Sequence, residues 1–153
     1  MPAHGASVIR SFLPVSDTLC TSGQPTREQF ALIRAAGYQV VINLAMPDST
    51  DALPDEGEIV AGLGMDYIHI PVVWLSPTAA DLERFFEAME RNQGKRVWLH
   101  CVVNMRVSVF VFLYRIIRQG APLAAARETM LHIWEPNEVW QRFIESSLVA
   151  GGL

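Results

Sequence analysis

Short runs of β-branched and apolar residues alternate along this chain with segments of helical periodicity. Three such runs predict buried strands, at 38–44, 65–70 and 96–100. Capping signals, apolar spacing and glycine stops predict the helices between and after them. These helices run from Thr26 to Gly37, from after Pro54 to about Leu63, from Thr78 to Gly94, from Met105 to Gly120 and from near Pro136 to Leu148. The alternation predicts an α/β fold with a central, mainly parallel sheet flanked by helices.

The size and composition of the chain predict one folded domain. It has 153 residues, of which 50% are hydrophobic and only 18% are charged. A chain of this size typically buries about 70% of the surface that its unfolded form exposes, which provides a sizeable core. We therefore expect a single domain over residues 1–153, in which residues 1–16 are a segment that could be loosely attached.

Charge and cysteine patterns exclude several classes of function. The formal net charge is −4, and the basic residues are scattered singly, with Lys95 as the one lysine. This argues against a nucleic-acid surface or a polybasic membrane anchor. Cys20 and Cys101 lie far apart without metal-ligand spacing, so neither a metal site nor a cofactor is predicted. No secretory signal is visible, and the apolar run 107–117 is too short to span a bilayer, so we expect a soluble, cytoplasmic protein.

Ligand chemistry is expected at one edge of the predicted sheet. In a parallel sheet, the loops that follow the strands emerge together at the carboxyl ends, where ligands bind. The loops that should converge there are 22–25, 45–54, 71–77 and 101–105. The loop 101–105 contains the residue pattern that most clearly indicates a chemical function.

A cysteine in that last loop stands between a buried strand and the start of a buried helix. Helix N-termini favour anions, and cysteines placed there beside an arginine ionise readily, so Cys101 is a candidate nucleophile. Arg106, five residues later, could hold two oxygens of a phosphoryl group. Cys101 could instead be a small buried residue, and Arg106 could cap a carbonyl or pair with a carboxylate. Because His100 directly precedes Cys101 and Arg106 follows it at the start of a helix, we favour the interpretation that Cys101 and Arg106 form a functional site.

The sequence from about Thr21 to Gln119 resembles the protein tyrosine phosphatase superfamily. The shared pieces are Ser22-Gly-Gln-Pro25, Val41-Ile-Asn-Leu44, Tyr67-Ile-His-Ile-Pro71, the His100-Cys101 pair and the arginine at the head of a helix. More narrowly, it is similar to small bacterial phosphatase-like proteins, found alone or joined to a metallo-β-lactamase-type hydrolase domain. In these proteins, the cysteine and arginine are one residue closer than usual.

This resemblance implies a tyrosine or dual-specificity phosphatase-like fold and a phosphocysteine mechanism. Cys101 would attack phosphorus, while Arg106 and the backbone N–H groups of residues 102–106 stabilise the transition state. The phosphate-binding residues would then be Val102, Val103, Asn104, Met105 and Arg106. The expected substrate is a phosphorylated small molecule or a phosphoprotein.

The chain also departs from the superfamily pattern. Four residues separate Cys101 from Arg106 instead of five, and the loop lacks glycine, although Asn104 tolerates positive φ. Val107 replaces the usual hydroxyl residue, and Ser108 comes one position late. Trp74 lies about where the general-acid aspartate is expected. Two loop aspartates at the same edge could substitute for that acid, and they are Asp48 and Asp51.

Three functions stay open on these grounds. The leading hypothesis is a cysteine-dependent phosphatase, which could be slow because the acid is missing. The second is a catalytically inactive module that binds phosphate. The third is a redox-sensing thiol, because an exposed, readily ionised cysteine also oxidises readily. Gln24 could bind a ligand or simply close a turn, and His100 is expected to orient the loop through a backbone contact.

Overall fold

A five-stranded sheet forms the centre of the structure, a computed structural model in which residues 5–153 are described. The strands are β1 (Leu13–Ser16), β2 (Leu19–Ser22), β3 (Val40–Asn43), β4 (Asp66–His69) and β5 (Val97–His100). Their order across the sheet is β1-β2-β5-β3-β4. The β1–β2 pair is antiparallel and the other three pairs are parallel. The predicted α/β fold with a mainly parallel sheet is confirmed.

Helices cover both faces of this sheet. They are α1 (Gln29–Ala35), α2 (Glu56–Gly62), α3 (Ala79–Arg91), α4 (Met105–Ile117), α5 (Leu123–Leu131) and α6 (Glu138–Ala150), with a short 3-10 helix at Ala6–Val8. The sequence pattern did not locate α5. Among residues 5–153, none of the helices combines the length and the apolar character needed to cross a bilayer.

Both predicted capping boxes form. The Thr78 hydroxyl accepts from the Asp81 amide at 3.1 Å, and the Asp81 carboxylate accepts from the Thr78 amide at 3.3 Å. Thr26 and Gln29 exchange the equivalent bonds at 3.3 and 2.9 Å. The Thr78–Asp81 box caps α3, whereas the Thr26–Gln29 bonds close the turn that leads into α1, which begins at Gln29.

Apolar side chains fill both sides of the sheet, as expected of strands covered by helices on two faces. On one side, Val40, Ile42 and Leu99 pack against α3 to α6. On the other side, Val41 and Trp98 pack against α1, α2 and the 3-10 helix. Helix α4 is buried over most of its circumference, as its apolar sequence predicted.

The N-terminal segment is attached more closely than the sequence suggested. Ala6 and Ile9 are buried in the core, and β1 pairs with β2. The expectation that residues 1–16 are loosely attached is therefore corrected for residues 5–16, because apolar burial and strand pairing hold them. Residues 1–4 lie outside the described residues.

The loops at the carboxyl ends of the parallel strands are tied to one another. The Gln24 amide donates to the Val102 carbonyl at 2.9 Å, and the Leu44 amide donates to the His100 carbonyl at 2.9 Å. The Val72 amide in turn donates to the Leu44 carbonyl at 3.0 Å. The predicted convergence of these loops is confirmed, and it sets the frame for the candidate site.

Candidate active site

A left-handed residue makes the turn from β5 into α4. Asn104 adopts φ 70° and ψ 2°, directly before the first residue of the helix. Its side-chain amide donates to the Ser11 carbonyl and to the Thr21 hydroxyl, both at 2.9 Å. Asparagine is among the few residues other than glycine that adopt this conformation readily. A short loop without glycine can thus place Arg106 in the first turn of α4.

The Cys101 thiol lies at the end of β5, before this turn. It is free and fully buried, and it belongs to the same core cluster as Val107. Cys20 is also free and buried, and burial raises the pKa of its thiol to about 11. Of the two cysteines, Cys101 is therefore the one whose position next to a helix N-terminus suits nucleophilic chemistry.

The Arg106 guanidinium is buried without a polar partner in the described part of the chain. Its residue is 7% exposed, and within residues 5–153 it makes no hydrogen bond or salt bridge, while its Nε atom is completely shielded. The guanidinium carbon lies 5.4 Å from the centre of the Trp74 ring. The alternatives in which Arg106 caps a carbonyl or pairs with a carboxylate are therefore wrong for the described residues. Because a buried, unpaired cation is costly, an anion is the partner that this site calls for.

Tryptophans hold the segment in which the superfamily pattern places its general acid. The Trp74 ring lies 5.3 Å from the ring of Trp134 and 5.6 Å from that of Trp140. The Trp140 indole also donates to the Trp74 carbonyl at 3.0 Å. An indole, which cannot supply a proton as a carboxylic acid does, thus lies against Arg106.

The two aspartates considered as replacements for the acid lie in the loop between β3 and α2. Asp51 accepts a hydrogen bond from Arg10 at 3.1 Å, and both side chains of this ion pair are largely exposed. Asp48 is exposed in the same loop. Within residues 5–153, neither carboxylate contacts Arg106 through a hydrogen bond or salt bridge. Their use as the acid stays a prediction.

The Ser108 hydroxyl, one position later than the hydroxyl residue of the superfamily, forms its hydrogen bonds with residues other than Cys101. It donates to the Met105 carbonyl at 2.8 Å and accepts from the Trp134 indole at 3.0 Å. Val107, at the position where the superfamily has its hydroxyl residue, is fully buried. The hydroxyl of Ser108 therefore braces the first turn of α4.

The segment Ser22-Gly23-Gln24, which follows β2, packs against the loop between β5 and α4. A Cβ atom at Gly23 would lie 2.4 Å from the Val102 carbonyl oxygen, so only glycine permits this close approach. The Ser22 hydroxyl donates to the Gly23 carbonyl at 2.7 Å and accepts from the Trp98 indole at 2.8 Å. Gln24 is 3% exposed and points to Glu56, to which it donates at 2.8 Å. Its side-chain amide also donates to the Pro25 carbonyl at 3.0 Å, as expected if Gln24 closes the turn before Pro25, whereas ligand binding by Gln24 stays a prediction.

A buried histidine–glutamate pair lies behind the cysteine. The Nδ1 atom of His100 lies 3.2 Å from the Cys101 carbonyl oxygen, which confirms the predicted backbone contact. Its Nε2 atom lies 2.6 Å from the Glu56 carboxylate. Burial acts to raise the pKa of Glu56, but bonds from His100, Gln24 and Tyr67 outweigh it and lower that pKa. Sequence reasoning missed Glu56, because it lies 44 positions from His100 and no local pattern marks it.

Comparison with known families identifies this arrangement. The profile of the family described as "DSP-PTPase phosphatase fused to NAD+ Kinase" matches residues 14–142, which include the whole sheet except Leu13. The chain belongs to this phosphatase family. This family is in keeping with the resemblance found in the sequence.

The chain is also similar to solved structures and to curated proteins. A DUF442 protein of Shewanella putrefaciens CN-32 is 39% identical, covers 95% of either chain and superposes with a TM-score of 0.85. The structure of PTPMT1 in complex with PI(5)P shares the fold, with a TM-score of 0.78 over 92% of this chain and 96% of that chain, at 15% identity. The beta-lactamase hydrolase-like protein of Xylella fastidiosa (strain Temecula1) is 29% identical over 106 residues. That match spans 67% of this chain but only 24% of the relative, so the DSP-PTPase domain corresponds to about a quarter of that longer protein.

Proposed function

We propose that this chain is a cysteine-dependent phosphomonoester hydrolase in which Cys101 is the nucleophile and Arg106 binds the phosphoryl group. One observation carries the proposal: in the first turn of the helix that follows Cys101 lies a buried guanidinium that has no hydrogen-bond or salt-bridge partner among residues 5–153. A phosphoryl dianion supplies the missing partner, because a guanidinium binds two phosphoryl oxygens in a planar fork. Membership in a phosphatase family supports this assignment.

In the proposed reaction, the Cys101 thiolate attacks phosphorus and the bond from phosphorus to the ester oxygen breaks. The leaving alcohol or phenol takes up a proton, and phosphocysteine remains. Water then attacks phosphorus, the S–P bond breaks, and inorganic phosphate and the thiol side chain are released. Arg106 and the backbone N–H groups of residues 102–106 stabilise the charge on the phosphoryl oxygens in both steps.

Access to these groups requires a movement at the edge of the site. Cys101 is fully buried, and Trp74 lies against Arg106. The rim around them carries exposed apolar side chains, at Val73 and Leu75 in one loop and at Val103 in the catalytic loop. Once the Trp74 side chain shifts, the phosphoryl group of an apolar phosphate ester could contact Arg106, and its apolar part could contact the exposed side chains of the rim.

The position of Trp74 predicts a strong dependence on the leaving group. Without an acid to protonate the departing oxygen, alkyl phosphates should react about 10² to 10⁴ times more slowly than they would with one. Aryl phosphates, whose leaving groups need less help, should be the better substrates. Rates measured over a series of aryl phosphates should rise steeply as the leaving phenol becomes more acidic. Equal rates for aryl and alkyl phosphates would show that another group supplies the proton, and Asp48→Asn and Asp51→Asn would then identify it.

The Cys101→Ser variant tests the nucleophile. It should lose all hydrolysis of p-nitrophenyl phosphate above the uncatalysed rate, because a serine hydroxyl in this place is not ionised. Cys20→Ser is the matched control, since that thiol lies elsewhere in the sheet and should be dispensable for turnover. Equal turnover by the original chain and by Cys101→Ser would overturn the proposal.

The second candidate is a module that binds phosphate without hydrolysing it. The indole at the acid position favours it, since Trp74 lies against Arg106 where a carboxylic acid is expected. In that case, vanadate or phosphate should raise the thermal unfolding midpoint of both the original chain and Cys101→Ser, and neither should turn over aryl phosphates. The same set of measurements thus separates an enzyme from a binding module. A redox-sensing role for Cys101 stays a prediction, because the movement that would admit a phosphate ester would also expose this buried thiol to an oxidant.

A further inference from the structure

Arg10 lies beside the loop between β5 and α4. It belongs to the segment that precedes β1, and its carbonyl accepts from the Gly23 amide at 2.8 Å. The position that a Cβ atom of residue 23 would take lies 2.7 Å from Cγ of Arg10 and 2.4 Å from the Val102 carbonyl oxygen. The side chain of Arg10 is therefore packed next to the peptide group that follows Cys101 by one residue.

The Arg10 guanidinium reaches Asp51 in the loop that follows β3. Its Nη1 atom donates to the Asp51 carboxylate at 3.1 Å. In the sheet, β5 lies between β2 and β3. A side chain that packs on Gly23 after β2 and ends at Asp51 after β3 therefore passes alongside the end of β5, from which the loop with Cys101 starts.

The ion pair with Asp51 leaves most of the Arg10 donors unused among residues 5–153. In this part of the chain the Arg10 side chain makes one hydrogen bond, and it is 44% exposed. Arg27, by contrast, binds Asp55 through both terminal nitrogens, at 2.7 and 3.0 Å. A guanidinium carries five N–H donors in a planar fork that matches two oxygens of a carboxylate or phosphate. Arg10 can therefore bind a further anion, whereas Arg27 already holds one in the bidentate geometry.

Backbone strain is concentrated around the same contacts. Within residues 5–153, the residues other than glycine with a positive φ are Ser11 at 53°, Asp51 at 63° and Asn104 at 70°. Ser11 follows Arg10, Asp51 is its partner, and Asn104 belongs to the loop after β5. The Asn104 amide also donates to the Ser11 carbonyl at 2.9 Å. Residues in such conformations cost free energy and cluster at active sites and ligand clamps, so their grouping here indicates a binding role for this edge.

The two sides of the loop differ in chemistry. Trp74 packs on the side of α3 to α6, and its neighbours Val73 and Leu75 are exposed apolar residues. Arg10 follows Ile9, which is buried on the other side of the sheet, with α1 and α2. A ligand whose phosphoryl group is bound by the loop therefore meets an apolar surface on one side and a guanidinium on the other.

We propose that Arg10 is a specificity-determining residue that binds a second anionic group of the substrate, next to the phosphoryl group held by Arg106. This inference rests on the proposed function in placing the phosphoryl group at the loop. Without ligand, Asp51 occupies one donor of Arg10, and the second anionic group of the substrate competes with it. The preferred substrate is then a phosphate ester that carries another negative charge on its organic part.

The binding of aryl phosphonates tests this inference without turnover. Phenylphosphonate carries the tetrahedral anion alone, whereas the 2-, 3- and 4-phosphonobenzoates add a carboxylate at three positions of the ring. Isothermal titration calorimetry at low salt should show at least one phosphonobenzoate binding about threefold to fivefold more tightly than phenylphosphonate, as expected of a partly exposed charge pair. This advantage should shrink in about 0.5 M NaCl, because salt screens exposed charges.

Variants of the ion pair test the assignment to Arg10, and the quantity compared is the ratio of the two affinities. Arg10→Gln should bring this ratio close to one. Arg27→Gln is the matched control and should keep the original ratio, since it also removes an exposed arginine that is paired with an aspartate. Asp51→Asn should increase the ratio, because it removes the competing carboxylate. Asp48→Asn removes an equal charge from the same loop and should increase it less.

The outcomes separate this inference from the proposed function. If phenylphosphonate binds at least as tightly as all three phosphonobenzoates, or if Arg10→Gln keeps the preference, the inference is overturned and the proposed function stands. If the chain binds no phosphonate, both are overturned. Thermal unfolding midpoints check that Arg10→Gln is folded. If it is not, Asp51→Asn and Asp48→Asn decide, and equal ratios in these two variants overturn the inference.

Discussion

Replacing Arg106 with methionine is expected to abolish anion binding and turnover while making the ligand-free protein more stable. Methionine preserves much of the packing below Trp74 but removes a buried cation that has no protein partner within residues 5–153. An unsatisfied buried polar group costs about 1–3 kcal/mol, and more when it is charged, so the free energy of unfolding should rise by about that amount. Loss of this donor should lower kcat/KM at least 10²- to 10³-fold.

Urea denaturation with and without vanadate measures both halves of the Arg106 prediction. The original chain should gain about 2.7 kcal/mol at a vanadate concentration of 100 times Kd, and Arg106→Met should gain nothing. Arg115→Met removes a positive charge from the same helix at a site away from the loop, so it should keep the vanadate effect. A methionine variant that is less stable without ligand, or that still responds to vanadate, would contradict this account of the site.

The Gly23→Ala substitution is expected to damage both stability and activity. The added methyl group would lie 2.4 Å from the Val102 carbonyl oxygen and 2.7 Å from Cγ of Arg10. Because the nearest atom is a backbone oxygen, the loop itself must shift, and this shift should strain the hydrogen bond from the Gln24 amide to the Val102 carbonyl. Overpacking of this kind typically costs about 1–3 kcal/mol. Displacement of the loop by about 1 Å should lower kcat about 10²-fold.

The matched control for this prediction is Gly62→Ala. Gly62 lies in helix α2, and a Cβ atom there would meet no neighbouring atom within 4 Å. Because Gly62 is the last residue of α2, alanine there should change the free energy of unfolding little and leave turnover unchanged. If Gly23→Ala behaves like Gly62→Ala in denaturation and in aryl phosphate hydrolysis, the close approach at Gly23 is not needed to hold the loop.

Trp74 links the chemistry of the site to the helical face of the fold. Its ring contacts the guanidinium, and its backbone carbonyl is held by Trp140 from α6. An acid could not simply be restored here by mutation, because Trp74→Asp would also remove the rings of Trp74 from its contacts with Trp134 and Trp140. The tryptophan cluster therefore holds the Trp74 ring against Arg106, which is the basis of the predicted preference for aryl phosphates.

Local sequence patterns determined a large part of this protein. The β-branched runs predicted β3, β4 and β5, because apolar residues at these spacings must be buried on a sheet. The Thr78–Asp81 capping box marked the start of α3, because side-chain caps act within one turn. The cysteine and arginine on either side of a strand-to-helix junction pointed to the candidate site for the same reason, since both lie within six residues.

The contacts between residues that are far apart in the sequence became known only from the tertiary structure. It inserted β5 between β2 and β3, added β1 as an antiparallel edge strand, and placed Trp74 on Arg106. It also brought Glu56 to His100 and Gly23 against Val102. Contacts of this kind leave no periodic signal, because they depend on how whole elements pack and on which buried polar groups satisfy one another. The sequence by itself pointed to Cys101 and Arg106 as candidate site residues, whereas packing decided which carboxylate lies against His100 and which side chain lies against Arg106.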